Sequence, residues 1–168
     1  SRTPLHKAVQ MLENEFLVES VPRRGFFVKK LDLKQIYDAF ECREAIEGLA
    51  ARRLAKTIKK KDIETLRLLF EPFNDQNSVI EHEPYQRADR EFHNTIIKLS
   101  GNQILLKLDV TGNILLRTYS KGLVREPKDT LQEHFAIIDA LESNDGEMAE
   151  MLVKMHTRKS MAYLEKLL

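Results

Sequence analysis

Tyr85-Gln-Arg-Ala-Asp89-Arg-Glu-Phe92-His93-Asn-Thr-Ile96 is the stretch on which the fold turns. Tyr85, Asp89, Phe92, His93 and Ile96 recur at spacings of three and four, so they share one stripe of an α-helix. The stripe is apolar except at Asp89 and His93, which puts two ionisable groups on the side that should be buried. Pro84 opens this run and Ser100-Gly101-Asn102 closes it, predicting a helix over 84–99. The same periodicity predicts helices over 32–58, 62–76, 103–123, 128–141 and 147–167. The first of these buries Ile36, Phe40, Leu49 (or Ala50), Leu54 and Ile58. Pro127 stands at the start of the fifth helix, and Asn144-Asp145-Gly146 separates it from the sixth. Short connections between long helices predict an all-α, antiparallel bundle of about six helices over residues 31–168.

Two further helices repeat the anomaly of the first stretch. Leu131, His134, Ile138 and Leu141 form one stripe, and Ala149, Leu152, His156, Ser160 and Tyr163 form another. Any one of these histidines is most simply a core residue that hydrogen-bonds locally. Three of them, joined by a carboxylate at i,i+4 from His93, favour a shared divalent metal, because an ionised carboxylate buried alone is costly. His6 and His82 share no inward stripe and receive no metal role.

Composition narrows the class. With 6 Gly and 5 Pro in 168 residues, long uninterrupted elements are expected. No apolar run approaches the roughly 18 residues of a membrane span, and no signal-peptide pattern opens the chain, so no membrane partner is expected. The single Cys42 cannot form an internal disulfide, which points to the cytoplasm. The net charge of +1 hides an asymmetry: residues 1–30 carry +3 and residues 31–168 carry −2. The basic end could therefore face an anionic partner.

That end is also built differently. Ser1-Arg2-Thr3-Pro4 reads as a helix start, and Leu5, Val9, Leu12 and Phe16 continue it at helical spacing to about Glu15. Val18-Glu19-Ser20-Val21, Pro22-Arg23-Arg24-Gly25 and Phe26-Phe27-Val28 then read as strand, turn and strand. A helix followed by a basic-tipped hairpin is the second half of a winged helix-turn-helix.

Residues 1–28 resemble the recognition helix and wing of the GntR family of bacterial repressors. In that family the start of the helix enters the major groove and the wing tip lies in the minor groove. The resemblance implies DNA contacts from Arg2, Thr3 and His6 on the helix and from Arg23, Arg24 and Gly25 on the wing, with operator DNA as partner. His6-Lys7 stands where the family usually has Arg-Glu, so the target sequence cannot be carried over. Two helices precede this one in the family; the resemblance implies that residues 1–30 are part of a DNA-binding domain whose beginning lies outside the sequence.

Asp89-Arg-Glu-Phe92-His93 with Ser100-Gly101-Asn102, and Glu133-His134-x-x-Ile137-x-x-Ala140-Leu141 with Asp145, Ala149 and His156, resemble the FCD effector domain of FadR-type members of that family. This resemblance covers residues 31–168. It implies that Asp89, His93, His134 and His156 ligate a metal, with open positions for water or the carboxylate of a small organic acid. Nitrogen-rich ligation with one carboxylate and no thiolate suits a divalent transition metal, zinc first and nickel, manganese or iron as options, and suits calcium or magnesium poorly. Arg43 matches an arginine of FCD domains and is the first candidate for holding the acid, although Arg43 and Glu47 also read as a plain i,i+4 ion pair. Asn113 and Arg117 form a further polar pair, equally explained by a solvated face.

Two other readings stay open. A metal-dependent enzyme would usually show Glu-x-x-His pairs or His-Glu-x-x-His, and neither motif occurs. A metal that only staples the bundle would need no effector. A non-enzymatic, dimeric, acid-responsive repressor is the expectation, since two-headed readers match two DNA half-sites.

Overall fold

The computed structural model describes residues 2–15, 17–30, 32–75, 79–109 and 123–168. Helix α1 (Arg2–Asn14) leads into a two-stranded antiparallel hairpin, β1 (Val18–Val21) and β2 (Gly25–Val28), with Val18 opposite Val28 and Val21 opposite Gly25. Arg23 and Gly25 take positive φ of 64° and 99°, and the Arg24 amide donates to the Val21 carbonyl at 3.0 Å. Among the described residues, Leu5, Leu12, Phe26 and Phe27 of this unit remain exposed.

The rest is helical, as expected from the stripes. Helix α2 (Leu33–Leu54) begins at a capping box in which Asp32 accepts from the Gln35 amide and Gln35 accepts from the Asp32 amide. Helix α3 (Lys60–Phe70) ends in a 3-10 turn, Glu71–Phe73, that contains Pro72. Proline has no amide hydrogen to continue the ladder, so α3 stops well before the expected residue 76. Helix α4 (His82–Leu99) is closed by Gly101 at φ 70°, the left-handed position that glycine tolerates. Residues 103–109 form helix α5, and Leu123 is not helical; residues 110–122 of the expected fourth helix lie outside the described residues. Helix α6 (Pro127–Glu142) starts on proline, and helix α7 (Gly146–Glu165) is capped by Asp145, whose side chain accepts from the Met148 amide at 2.9 Å.

Helix α7 lies along α2 and also packs on α6, while α3 lies against α4 and α6. Phe70, Tyr85, Phe92, Ile96, Ile137, Ile138 and Leu141 are fully buried between them. Because α7 has two neighbours, its buried face is broader than one stripe and is displaced from the expected one. Ala149, Val153, His156, Thr157, Ser160, Met161 and Leu164 are buried, whereas Leu152 is half-buried and Tyr163 is exposed. On α2 it is Ala50, not Leu49, that is buried. Among the described residues no helix is long and apolar enough to cross a membrane.

The α6–α7 turn delivers α7 onto the end of α2 at very close range. A Cβ on Gly146 would lie 2.8 Å from the Arg52 carbonyl oxygen, which is backbone and cannot swing aside. Gly146→Ala is therefore expected to destabilise the chain by about 1–3 kcal/mol, as overpacking does. Denaturant unfolding measures this; a stability equal to wild type would show that α2 and α7 are not pressed together there.

Candidate metal centre

Asp89 and His93 come from consecutive turns of α4, His134 from the middle of α6 and His156 from α7. Each is delivered by an apolar stripe that must face the bundle interior, so folding alone brings the four together. One ligand atom from each lies within 4.8 Å of the others. Asp89 Oδ1 is 3.3 Å from His134 Nε2 and 3.8 Å from His93 Nε2. The His134 and His156 ring centres are 4.8 Å apart, and the His134 ring stacks on Phe70 at 4.4 Å with an 8° tilt. All three imidazoles are buried, and Asp89 is partly open to a narrow cleft.

Around this cluster each histidine has a different partner facing its Nδ1. Glu47 Oε2 lies 2.7 Å from His93 Nδ1, close but oblique for a hydrogen bond. The Tyr85 hydroxyl is 3.1 Å from His134 Nδ1 and 2.7 Å from Thr130 Oγ1. Glu133 Oε2 is 2.7 Å from His156 Nδ1. Glu133 is itself held in a fork by Arg125 at 2.8 and 2.9 Å, and by Lys159 at 2.8 Å. Holding Nδ1 in this way turns Nε2 inward as a free donor. The Nε2 atoms of His93 and His134 are buried and have no hydrogen-bond partner among the described residues.

Protonation favours the same use. Burial pushes His134 and His156 down, and the opposing pull of Asp89 and Glu133 does not cancel it, so both are neutral imidazoles at neutral pH. Burial pushes Asp89 up, but the adjacent His134 ring, 3.3 Å away at Nε2, with His93 and Arg43 nearby, outweighs it and keeps it ionised. Burial likewise raises Glu47, yet Arg43 and His93 hold it at about 2. A carboxylate and three buried imidazoles, with the Nε2 atoms of His93 and His134 unpartnered among the described residues, fit a divalent transition metal by their donor chemistry.

Arg43 stands beside the cluster. Its Nε donates to Glu47 Oε1 at 2.6 Å and its guanidinium lies 5.2 Å from the Phe40 ring centre. Among the described residues the Nε bond is its one hydrogen bond, and Arg43 lines the cleft with Asp89, His93, His156 and Arg125. Asn113 and Arg117 lie outside the described residues. His82 is exposed and pairs with Glu126 at 3.2 Å, away from the cluster. Thr3, His6, Arg23, Arg24 and Gly25 are exposed on α1 and the hairpin tip, and Arg2 is the first residue of α1. A 6.4 Å edge contact between His6 and Phe26 joins the two elements.

The partners at Nδ1 were not legible in the sequence. Glu133 sits beside His134 in the chain but serves His156 on the next helix. Glu47 announces only its i,i+4 pairing with Arg43, and Arg125 lies in an irregular stretch with no periodicity.

The chain matches the family model described as the FCD domain over residues 38–159. It is 29% identical over 160 residues to the "Probable D-xylose utilization operon transcriptional repressor" of Paenarthrobacter nicotinovorans, covering 93% of this chain and 70% of that protein. It is 27% identical over 167 residues to the HTH-type transcriptional repressor RspR of Escherichia coli, covering 95% and 71%. In fold it is similar to E. coli McbR/YncC, with a TM-score of 0.77 at 17% identity over 99% of this chain and 85% of that one. A GntR regulator from Rhodococcus gives 0.73 at 21% identity, over 100% and 82%.

The pKa shifts carry a sign that can be checked. His134 and His156 are depressed below 6.5, so between that value and their folded pKa the unfolded chain binds more protons and stability falls as pH falls. Asp89 and Glu47 are depressed below 3.8 and 4.5, and their contribution is lost at still lower pH. The melting temperature of the chelator-treated chain is expected to begin falling as pH drops below 6.5. A flat profile from pH 7 to 5.5 would mean that these imidazoles are not buried in the neutral form.

Proposed function

The chain belongs to the FCD domain family of GntR-type transcriptional regulators, and from that premise we propose that its helical part senses a small organic acid at a metal-loaded cleft and passes the result to DNA. The observation that carries this reading is the cleft itself. The cluster of Asp89, His93, His134 and His156 forms one side, and Arg43, with its terminal nitrogens uncommitted among the described residues, forms another. Zinc is the first candidate, with nickel, manganese or iron as options. A bound divalent ion supplies Lewis-acid attraction for a carboxylate oxygen. Arg43 adds a planar fork for the same group, and Phe40 packs against its guanidinium. Asn113 and Arg117 belong to the proposal as further contacts to the acid.

Residues 1–30 act as the recognition helix and wing, with Arg2, Thr3 and His6 on α1 and Arg23, Arg24 and Gly25 at the hairpin tip meeting operator DNA. Residues 31–168 act as the sensor. The cluster draws on α4, α6 and α7, and Arg43 on α2, so an acid that binds one helix arrangement better than another shifts the balance between them. In a homodimer that shift would change how two DNA-reading heads are spaced.

Two measurements test this reading together. Metal analysis of the purified chain is expected to find one transition-metal ion, with chelation lowering the melting temperature and His134→Ala abolishing that response. Arg43→Ala is expected to keep the metal and to lose about 10- to 100-fold in affinity for acetate, the scale of a charged hydrogen bond. Melting that ignores both chelator and His134→Ala would end the metal reading, and unchanged acetate affinity in Arg43→Ala would end the acid reading.

A further inference from the structure

Among the described residues, Glu47 alone touches both Arg43 and a histidine of the cluster. Its Oε1 accepts from Arg43 Nε at 2.6 Å and its Oε2 faces His93 Nδ1 at 2.7 Å. Glu47 is 1% exposed, and neither Glu47 Oε2 nor His93 Nδ1 has another hydrogen-bond partner among the described residues. The other two histidines are served differently. His134 is held by the neutral Tyr85 hydroxyl, and His156 by Glu133, whose remaining donors are Arg125 and Lys159.

We propose that Glu47 is a positioning residue that couples acid binding at Arg43 to the cation affinity of the cluster through His93. This rests on the reading of the cleft given above. An acid seated on the terminal nitrogens of Arg43, which have no hydrogen bond among the described residues, draws part of the guanidinium's attraction away from Glu47. Oε2 then holds the His93 Nδ1–H more strongly, and an imidazole held in that way is a more basic ligand at Nε2. By linkage the effect runs equally in reverse: a more tightly loaded cluster favours the acid by the same factor. Glutamine at position 47 keeps the shape but breaks the relay. It offers one acceptor oxygen to two facing donors and turns an amide N–H toward one of them.

The test is calorimetric titration of zinc into the full chain, with and without saturating acetate, for wild type, Glu47→Gln and Tyr85→Phe. In wild type, acetate is expected to tighten zinc roughly fivefold or more. Tyr85→Phe removes the hydrogen bond to His134 without touching Arg43, so zinc should weaken by about 10-fold while the acetate factor stays. Glu47→Gln should weaken zinc by about 10- to 100-fold and also shrink the acetate factor. Melting of the chelated proteins checks that both variants fold. An acetate factor in Glu47→Gln equal to wild type overturns the relay, as does an equal loss of the factor in both variants. A factor of one in wild type overturns the relay and the acid reading together, whereas a wild-type factor that survives in Glu47→Gln overturns the relay alone.

Discussion

Asp89 is an ionised carboxylate set into the apolar middle of a helical bundle, with two imidazole nitrogens close to it and no cation within bonding distance among the described residues. An isolated charge in such a place is costly, and the surrounding architecture is organised around that cost. Three helices converge on it, each spending a core position on a histidine where an aliphatic side chain would pack as well. The aromatic residues beside it, Phe70 and Phe92, lie against the His134 ring and exclude water from the closed side. Among the described residues, Asp89, His93 and His156 line a cleft together with Arg43.

Outside the four residues, a second layer of polar groups sets the orientation of the rings. Tyr85 and Glu133 hydrogen-bond to Nδ1 of His134 and His156, and Glu47 faces Nδ1 of His93, which leaves Nε2 of each ring toward the cluster. The layer is asymmetric. Glu133 is held by Arg125 and Lys159, while Glu47 is shared with Arg43, whose terminal nitrogens have no hydrogen bond among the described residues. The proposed relay through Glu47 rests on that asymmetry.

Most of the helices, and the four inward residues, were readable from spacing because burial imposes the helical period on apolar positions. Ser100-Gly101-Asn102, Pro127 and Asn144-Asp145-Gly146 marked ends correctly since each encodes a local backbone requirement. The errors lie where tertiary contacts decide. Leu152 and Tyr163 of α7 were read as buried, but a helix lodged between α2 and α6 buries a different face. Pro72 ended α3 earlier than the apolar pattern suggested. Glu47 and Glu133 act on histidines of other helices, and no single-helix pattern can announce a pairing that exists only once helices meet. The family resemblance, carried by Asp89, His93, His134 and His156 and their neighbours, reads positions across several helices at once, which periodicity within one helix cannot do.

Visible absorption during cobalt(II) titration tests the central claim most directly, since the d–d bands report both the number of sites and their ligands. The chain is expected to take up one equivalent with bands of nitrogen and oxygen ligation and no thiolate charge-transfer, and Asp89→Ala is expected to lose them. Saturation that is unchanged in Asp89→Ala, or bands that vanish only when the exposed His82 is replaced, would contradict a metal centre at the convergence of α4, α6 and α7.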